Sequence, residues 1–294
     1  MLTVSIGVCA YNEERNIKLS IESITAQSLQ GFDLEEVIVV SSGSTDRTDA
    51  MVEEASRADP RIRLLPQPVR EGKNSAVNLF MSQASGDILV LVNADNVLME
   101  GALQHLLEPF NDPQIGIVGG HPVPVNPRDN VPGFAVHMLW GMHHRLSLHH
   151  PKIGELIAFR NFRIQLPTEL QSDEDIIRME VEKRGYRPAY APDAVVHNKG
   201  PATIRDFIKQ RTRVNIGEGY MKRKFDVDIP TQDPRLLFSS FIDFVREDRA
   251  SPFLMLTAMV MEAYCRAYAR MYVALDKGDK RLWSPVDSTK DLAG

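Results

Sequence analysis

Two rhythms of apolar and polar positions alternate along the first hundred residues. "TVSIGVCAY" (Thr3 to Tyr11) is a short run rich in β-branched residues and predicts a strand. In the stretch that follows, "NEERNIKLSIESITAQSL", Ile17, Ile21, Ile24 and Leu29 recur at near-helical spacing. "EVIVVSSG" predicts a second strand, and the turn "SGSTD" leads into "RTDAMVEEASRA", a helix with an acidic outer face. "IRLLPQP" reads as a third strand. "GKNSAVNLFMSQAS" predicts a helix with Ala76, Val77, Phe80 and Met81 inward, and "DILVLV" a fourth strand. Strand and helix in this order predict an α/β fold, with a Rossmann-like, mostly parallel sheet covered by helices on both faces. Ligands of such sheets bind beyond the carboxyl ends of the strands. The polar segments "YNEE", "SSGSTD" and "NADN" all follow strands, so they are expected to meet in one crevice.

After "IGIVGG" the pattern loosens into "HPVPVNPRDNVPG", which reads as irregular, and a histidine-rich helix follows. "SDEDIIRMEVEKRG" is an acidic helix start and "AYAPDAVVHN" a further strand. Between Ala202 and Lys224 the chain holds seven basic residues against Asp206 and Glu218. From Pro234 to Leu282 the chain reads as a helical extension, joined through "DIPTQDP". There is no internal repeat.

Composition narrows the function. With 294 residues and a net charge of −5, the chain lacks the basic surface that nucleic acid demands. Cys9 and Cys265 lie far apart and read as free thiols of a reducing compartment. Met1 leads straight into the first strand pattern, so no leader is expected. The longest uncharged apolar stretch, Ser251 to Met261, falls short of the roughly 20 residues a bilayer requires. A cytoplasmic protein, free or peripheral to a membrane, is the expectation. No G-x-G-x-x-G or G-x-x-x-x-G-K-[ST] motif follows the first strand, so a nucleotide must be held in another way.

"VSIGVCAYNEERNI", "VIVVSSGSTDRT", "REGKNSAVN", "GDILVLVNADN" and "EDIIRMEVEKRGYRPAYAPDAVVHNKGP", followed by "QRTRV", stand in the order seen in family 2 glycosyltransferases, which the chain resembles from about Thr3 to Gly217. The resemblance implies the GT-A fold and transfer of one sugar from a nucleotide diphosphate donor, with inversion at the anomeric carbon. It divides the chain into a catalytic domain, 1–225, and the C-terminal helical extension, 226–294. Residues 1–120 would be the nucleotide-sugar half and 121–225 the acceptor half.

By the same resemblance, Ala10, Tyr11 and Glu13 are expected at the nucleotide, although "NEE" also suits the first turn of a helix. Ser41 and Ser42 stand where the family usually carries base-reading aspartates, which leaves uracil ahead of guanine but both open. Lys73 opens a helix, where a cation is unfavourable unless an anion sits there, as a pyrophosphate would. "NADN" occupies the place of the family's D-x-D motif, with Asn93 for the first aspartate, then Ala94, and Asp95 retained. Diphosphate donors need a divalent cation, Mg²⁺ or Mn²⁺, and hard cations want oxygen ligands. Asp95 is the expected ligand rather than a simple turn residue, and His197 resembles the histidine that completes the metal shell in related enzymes. His137, His143, His144, His149 and His150 match no zinc spacing, and an acceptor-facing or oligomer-facing helix is the plainer account.

The general base of the family sits in an E-D pair at a helix start. Literal matching gives Glu174 and Asp175; counting back from Gly185 gives Asp173 and Glu174. Asp175 is ranked first and Glu174 second. Ser172 before this cluster nearly makes a capping box, which would also explain the acids. "QRTRV" resembles Q-x-x-R-W with Val214 for tryptophan. It suggests Gln210, Arg211 and Arg213 near the diphosphate or acceptor, against a plain solvated face of Arg205, Lys209 and Arg213. The helix "FLMLTAMVMEAYCRAYARMYVAL" has one charged stripe, Glu262, Arg266 and Arg270. Core packing, a homo-oligomer contact or a membrane surface are its three possible fates. A lipid-linked or glycan acceptor completes the expected reaction. The rivals are an inactive nucleotide-sugar-binding scaffold of the same fold and a sugar-phosphate nucleotidyltransferase.

Overall fold

Apolar runs β1 (Leu2–Ala10) and β4 (Ile88–Asn93) lie side by side at the centre of an eight-stranded sheet. The fold is taken from a computed structural model, which describes residues 1–169, 172–225, 230–247, 251–277 and 286–292. Beside β1 lie β2 (Phe32–Ser42) and β3 (Ile62–Gln67). Beside β4 lie β7 (Leu156–Arg160), β6 (Ile115–Pro124), β8 (Arg187–Asn198) and the short β5 (Asn96–Leu98). The pairs β1–β2, β2–β3, β1–β4 and β6–β8 are parallel; β4–β7, β6–β7 and β5–β8 are antiparallel.

Period-two alternation distributes the core. Val4, Ile6 and Val8 face α1 (Ile17–Thr25), α2 (Thr48–Ala58) and α4 (Ala102–Leu107), whose Ile17, Ile21, Val52 and Leu103 are buried. Leu89 and Leu91 face the other way, onto α3 (Lys73–Gln83) and α6 (Asp173–Lys183). The four α3 residues expected inward, Ala76, Val77, Phe80 and Met81, are all buried. The close approach of α3 depends on Gly7, where a Cβ would lie 2.6 Å from the Phe80 ring. A third cluster joins Phe134 and Met138 of α5 (Val131–His149), Phe207 of α7 (Ile204–Phe225), Phe244 of α8 (Pro234–Glu247), and Ala258 and Met261 of α9 (Pro252–Ala274).

Three expectations are corrected. "HPVP" is not irregular but the end of β6. There β6 pairs only with β8, because its pairing with β7 stops at Gly119, and prolines are tolerated where a strand has one neighbour. The loop proper starts after Pro124, and Asn130 ends it by accepting a bond from the Gly133 amide as the cap of α5. On α9 the charged stripe does not face solvent throughout: Glu262 is 8% exposed, whereas Phe253, Leu256 and Val260 are 60% exposed or more. Ser172 precedes α6 but makes no capping hydrogen bond, so a capping box does not explain the acids behind it.

Candidate active site

The parallel register brings the strand ends level. Ala10 pairs with Ser41, and Cys9 with Asn93. Beyond these ends opens a cavity of about 870 Å³, lined on this side by Ala10, Tyr11, Glu13, Ser42 and Asn93 to Asn96. The convergence expected from "YNEE", "SSGSTD" and "NADN" is present, with one exception. Ser41 is fully buried, its hydroxyl bonds Ser44 Oγ at 2.9 Å, and it does not line the cavity. Of the two serines only Ser42 lines the cavity. The Arg70 guanidinium lies 4.2 Å from the centroid of the Tyr11 ring.

Asp95 sits in a crowd of acids. Burial pushes its carboxyl well above the usual range; Glu13 and Glu155 push it further, and Lys290 partly opposes them. Glu155 was not foreseen. It precedes β7, holds a left-handed backbone (φ 55°) and accepts a 2.7 Å hydrogen bond from Asn93 Nδ2. A divalent cation fits this wall chemically: Asp95, Glu155 and the amide oxygens nearby are hard donors. Among the described residues there is no cluster of three His, Cys, Asp or Glu side chains suited to a metal, so any such site mixes carboxylate with amide. His197 is the other expected ligand. It pairs with Val97 across β5–β8 and does not line the cavity, whereas Asn198, one residue on and on the opposite face of the strand, does.

The first turns of α3 and α6 line the same cavity beside the strand ends. Gly72 takes φ 95°, a backbone open to glycine, and starts α3 at Lys73. The Lys73 ammonium lies 2.9 Å from Asp173 Oδ2 and 2.8 Å from Glu174 Oε1. Burial alone would lower its pKa, but the two carboxylates hold it well above the ordinary value. The acids split. Burial and the Glu174 charge raise Asp173, while for Glu174 the nearby Lys73 outweighs burial and lowers it. Asp175 turns elsewhere, into a buried ion pair with Lys152 at 2.6 Å. Of the three side chains Glu174 is the most open, at 23% exposure against 1% for Asp173 and 6% for Asp175.

Gln210, Arg211 and Arg213 of α7 also line the cavity, whereas Arg205, on the face weighed as solvated, is exposed. Arg211 is committed to Glu262 of α9 through two bonds of 2.9 and 2.8 Å, and Arg266 holds the same carboxylate at 2.8 Å. Arg213 faces Asp95 and Glu155, and burial lowers its pKa. The histidines share no metal site: His137 bonds the Asn126 carbonyl, and His144 bonds Tyr190 and stacks on His121. His143 lines the cavity, and burial pushes its pKa down to about 3.

The last described residues return to the first turn. The Lys290 ammonium donates to the carbonyls of Tyr11 and Asn12 and, at 2.8 Å, to Glu13 Oε1. The Leu292 amide bonds Asn16 Oδ1 at 3.0 Å, and Lys199 holds the Asp291 carbonyl. Nothing in the local pattern near Lys290 signals this return.

The sheet, with acids at its strand ends and a lysine-opened helix beside them, has the GT-A architecture of solved glycosyltransferases. The chain belongs to glycosyl transferase family 2, whose model matches residues 5–166. The match ends before Asp173 and the α7 arginines. The poly-beta-1,6-N-acetyl-D-glucosamine synthase of Staphylococcus aureus is 24% identical over 223 residues, 71% of this chain and 53% of that one. The chain spans between 28% and 53% of the lengths of the curated relatives it matches. Among solved structures, the mannosyltransferase of Pyrobaculum calidifontis, in complex with GDP-Man and Mn²⁺, is 25% identical. That likeness covers 92% of this chain and 78% of the other, with a TM-score of 0.61. Glucosyl-3-phosphoglycerate synthase of Mycobacterium tuberculosis, solved with Mn²⁺ and UDP, shares the fold at 21% identity and a TM-score of 0.53, over 76% of this chain and 78% of that one. Among the described residues, no helix is long and apolar enough to cross a membrane.

Proposed function

We propose that the chain is an inverting, metal-assisted and non-processive glycosyltransferase. It would move one sugar from a nucleotide diphosphate sugar to a lipid-linked or glycan acceptor. The observation that carries this reading is the meeting of Asp95, Lys73, Glu174 and Arg213, from four separate segments, around one cavity. Mn²⁺ or Mg²⁺, when bound, supplies positive charge against the diphosphate leaving group. The remaining work falls to side chains. Lys73 and Arg213 are cations at the donor end, and Lys73 stands at the start of α3, where the helix dipole also favours an anion.

Inversion requires one carboxylate to take the proton of the attacking acceptor hydroxyl. Glu174 suits this better than Asp175, because Asp175 is locked to Lys152 while Glu174 is ionised and open to the cavity. This agrees with the register counted back from Gly185, and it reverses the ranking that literal matching suggests. Lys73 links donor and base. With the cavity empty of anions it holds Glu174; a diphosphate beside it competes for the ammonium and leaves Glu174 a stronger base.

Incubation with radiolabelled UDP- and GDP-sugars and Mn²⁺ tests the reading. Release of nucleoside diphosphate together with an inverted linkage in the product is the expected result. Pyrophosphate instead would mean nucleotidyl transfer, and donor binding without turnover would mean a scaffold.

A further inference from the structure

The donor end has lost one acid of its metal motif, since Asn93 stands where the first aspartate of D-x-D belongs. The fold brings another carboxylate to the same place. Val92 of β4 pairs with Leu156 of β7 in antiparallel register, so the residue after Val92 and the residue before Leu156 are neighbours. Those residues are Asn93 and Glu155, joined by the 2.7 Å bond from Nδ2 to Oε2. Asp95, two residues along from Asn93, lines the same cavity as Glu155.

A second observation is independent of the acids. Asn96 is 0% exposed and Asn198 6%, they pair across β5–β8, and both line the cavity. The Oδ1 atom of each is buried without a hydrogen-bond partner. Buried amide oxygens are normally satisfied, and one left open on a cavity wall awaits a donor or a cation. The Asn96 amide nitrogen leans toward Glu155 at 3.4 Å, which leaves its oxygen as the open atom.

We infer that Glu155 supplies the carboxylate missing at Asn93, and that Asp95, Glu155 and the amide oxygens of Asn96 and Asn198 form the cation site of the donor end. Two carboxylates and two neutral oxygens suit a hard divalent ion that keeps water or phosphate at its other positions. Placing the second acid just before β7 leaves the charge count of an intact D-x-D unchanged. The inference rests on the metal-assisted reading above.

The test titrates Mn²⁺ alone into the full chain and follows the free-ion electron paramagnetic resonance signal, with melting curves as a folding control. Glu155→Gln is expected to weaken Mn²⁺ binding by about 10–100-fold, the scale seen when a supporting group of a metal site is lost. Asn93→Asp in the Glu155→Gln background returns a carboxylate to the original place and is expected to restore most of that loss. Equal affinity of Glu155→Gln and the natural chain overturns the inference. So does a weakened Glu155→Gln that Asn93→Asp fails to rescue, because Glu155 would then only order its neighbours. If Glu155→Gln does not fold, Asn93→Asp alone decides: with Glu155 already in place, Mn²⁺ should raise its melting temperature no more than that of the natural chain, and a clearly larger rise overturns the inference. A natural chain that binds UDP or GDP but no Mn²⁺ removes the metal-assisted reading first, and the Glu155 site with it.

Discussion

One wall of the cavity is made of strand ends and the first turns of α3 and α6, and it is crowded with charge: Glu13, Asp95, Glu155, Lys73 and Glu174. The opposite wall comes from α5, α8 and α9 and carries Trp140, Leu237, Phe238, Phe241 and Met259. The charged wall is braced at Glu13, Glu155 and Glu174 by short bonds, whereas Phe238 is 67% exposed and Met259 42%. A polar site must be held rigid, because misplaced charges in a low dielectric are costly. An apolar wall needs only shape and area, so it can accept a partner with little preorganisation. Under the proposed function the first wall would meet the diphosphate and the second the body of the acceptor.

The sharpest way to break this division is Glu174→Gln. If the charged wall carries the chemistry, turnover falls by about 10²–10⁴ while nucleotide binding holds, as single-turnover kinetics and calorimetry would show. An unchanged rate would move the base elsewhere. Lys152→Met comes next and strikes the bracing. It leaves Asp175 buried without its partner, so denaturant unfolding should lose about 3–5 kcal/mol. Lys152→Met with Asp175→Asn should recover part of this, since the stranded charge is gone.

On the apolar wall, Phe238→Ser should leave nucleotide affinity alone and raise the acceptor KM about tenfold if the ring is covered in the complex. A loss of donor binding instead would merge the two walls into one functional unit. The smallest effect lies at the far end of the strands. Burial would raise Glu36, but bonds from Ser85, Ser5 and Arg63 outweigh it and hold the carboxyl below its ordinary 4.5. A lowered carboxyl stabilises the fold above its unfolded pKa and loses that contribution as pH falls through the folded value. Melting temperature should therefore drop below about pH 4.5, and Glu36→Gln should flatten that drop without touching activity.

The charged wall was partly legible because its residues follow strands with strong period. "LVLV" before Asn93 and "VIVV" before Ser41 announce where a parallel sheet ends. Glu155 escaped since pairing, not spacing, brings it near Asn93 across 62 positions. The clue was an acid directly before "LIAF", the mirror of "LVLV" directly before Asn93, which an antiparallel pair would bring together. Asp175 ranked above Glu174 for a similar reason: identity of letters says nothing about which of three adjacent acids meets Lys152. On α9, Glu262 reads as part of a charged stripe, and only its two arginine partners explain why it is buried. Burial of a charge is decided by its partner, and partners are set by tertiary contact.

Lys290 adds a consequence in time. Chains leave the ribosome from the N-terminus at roughly 5–20 residues per second, so α7 emerges some seconds before Lys290 does. During that interval the sheet can form with its donor end open, and Glu13 has Asn16 but not its cation. The first turn acquires its final set of partners only after Lys290 has been made.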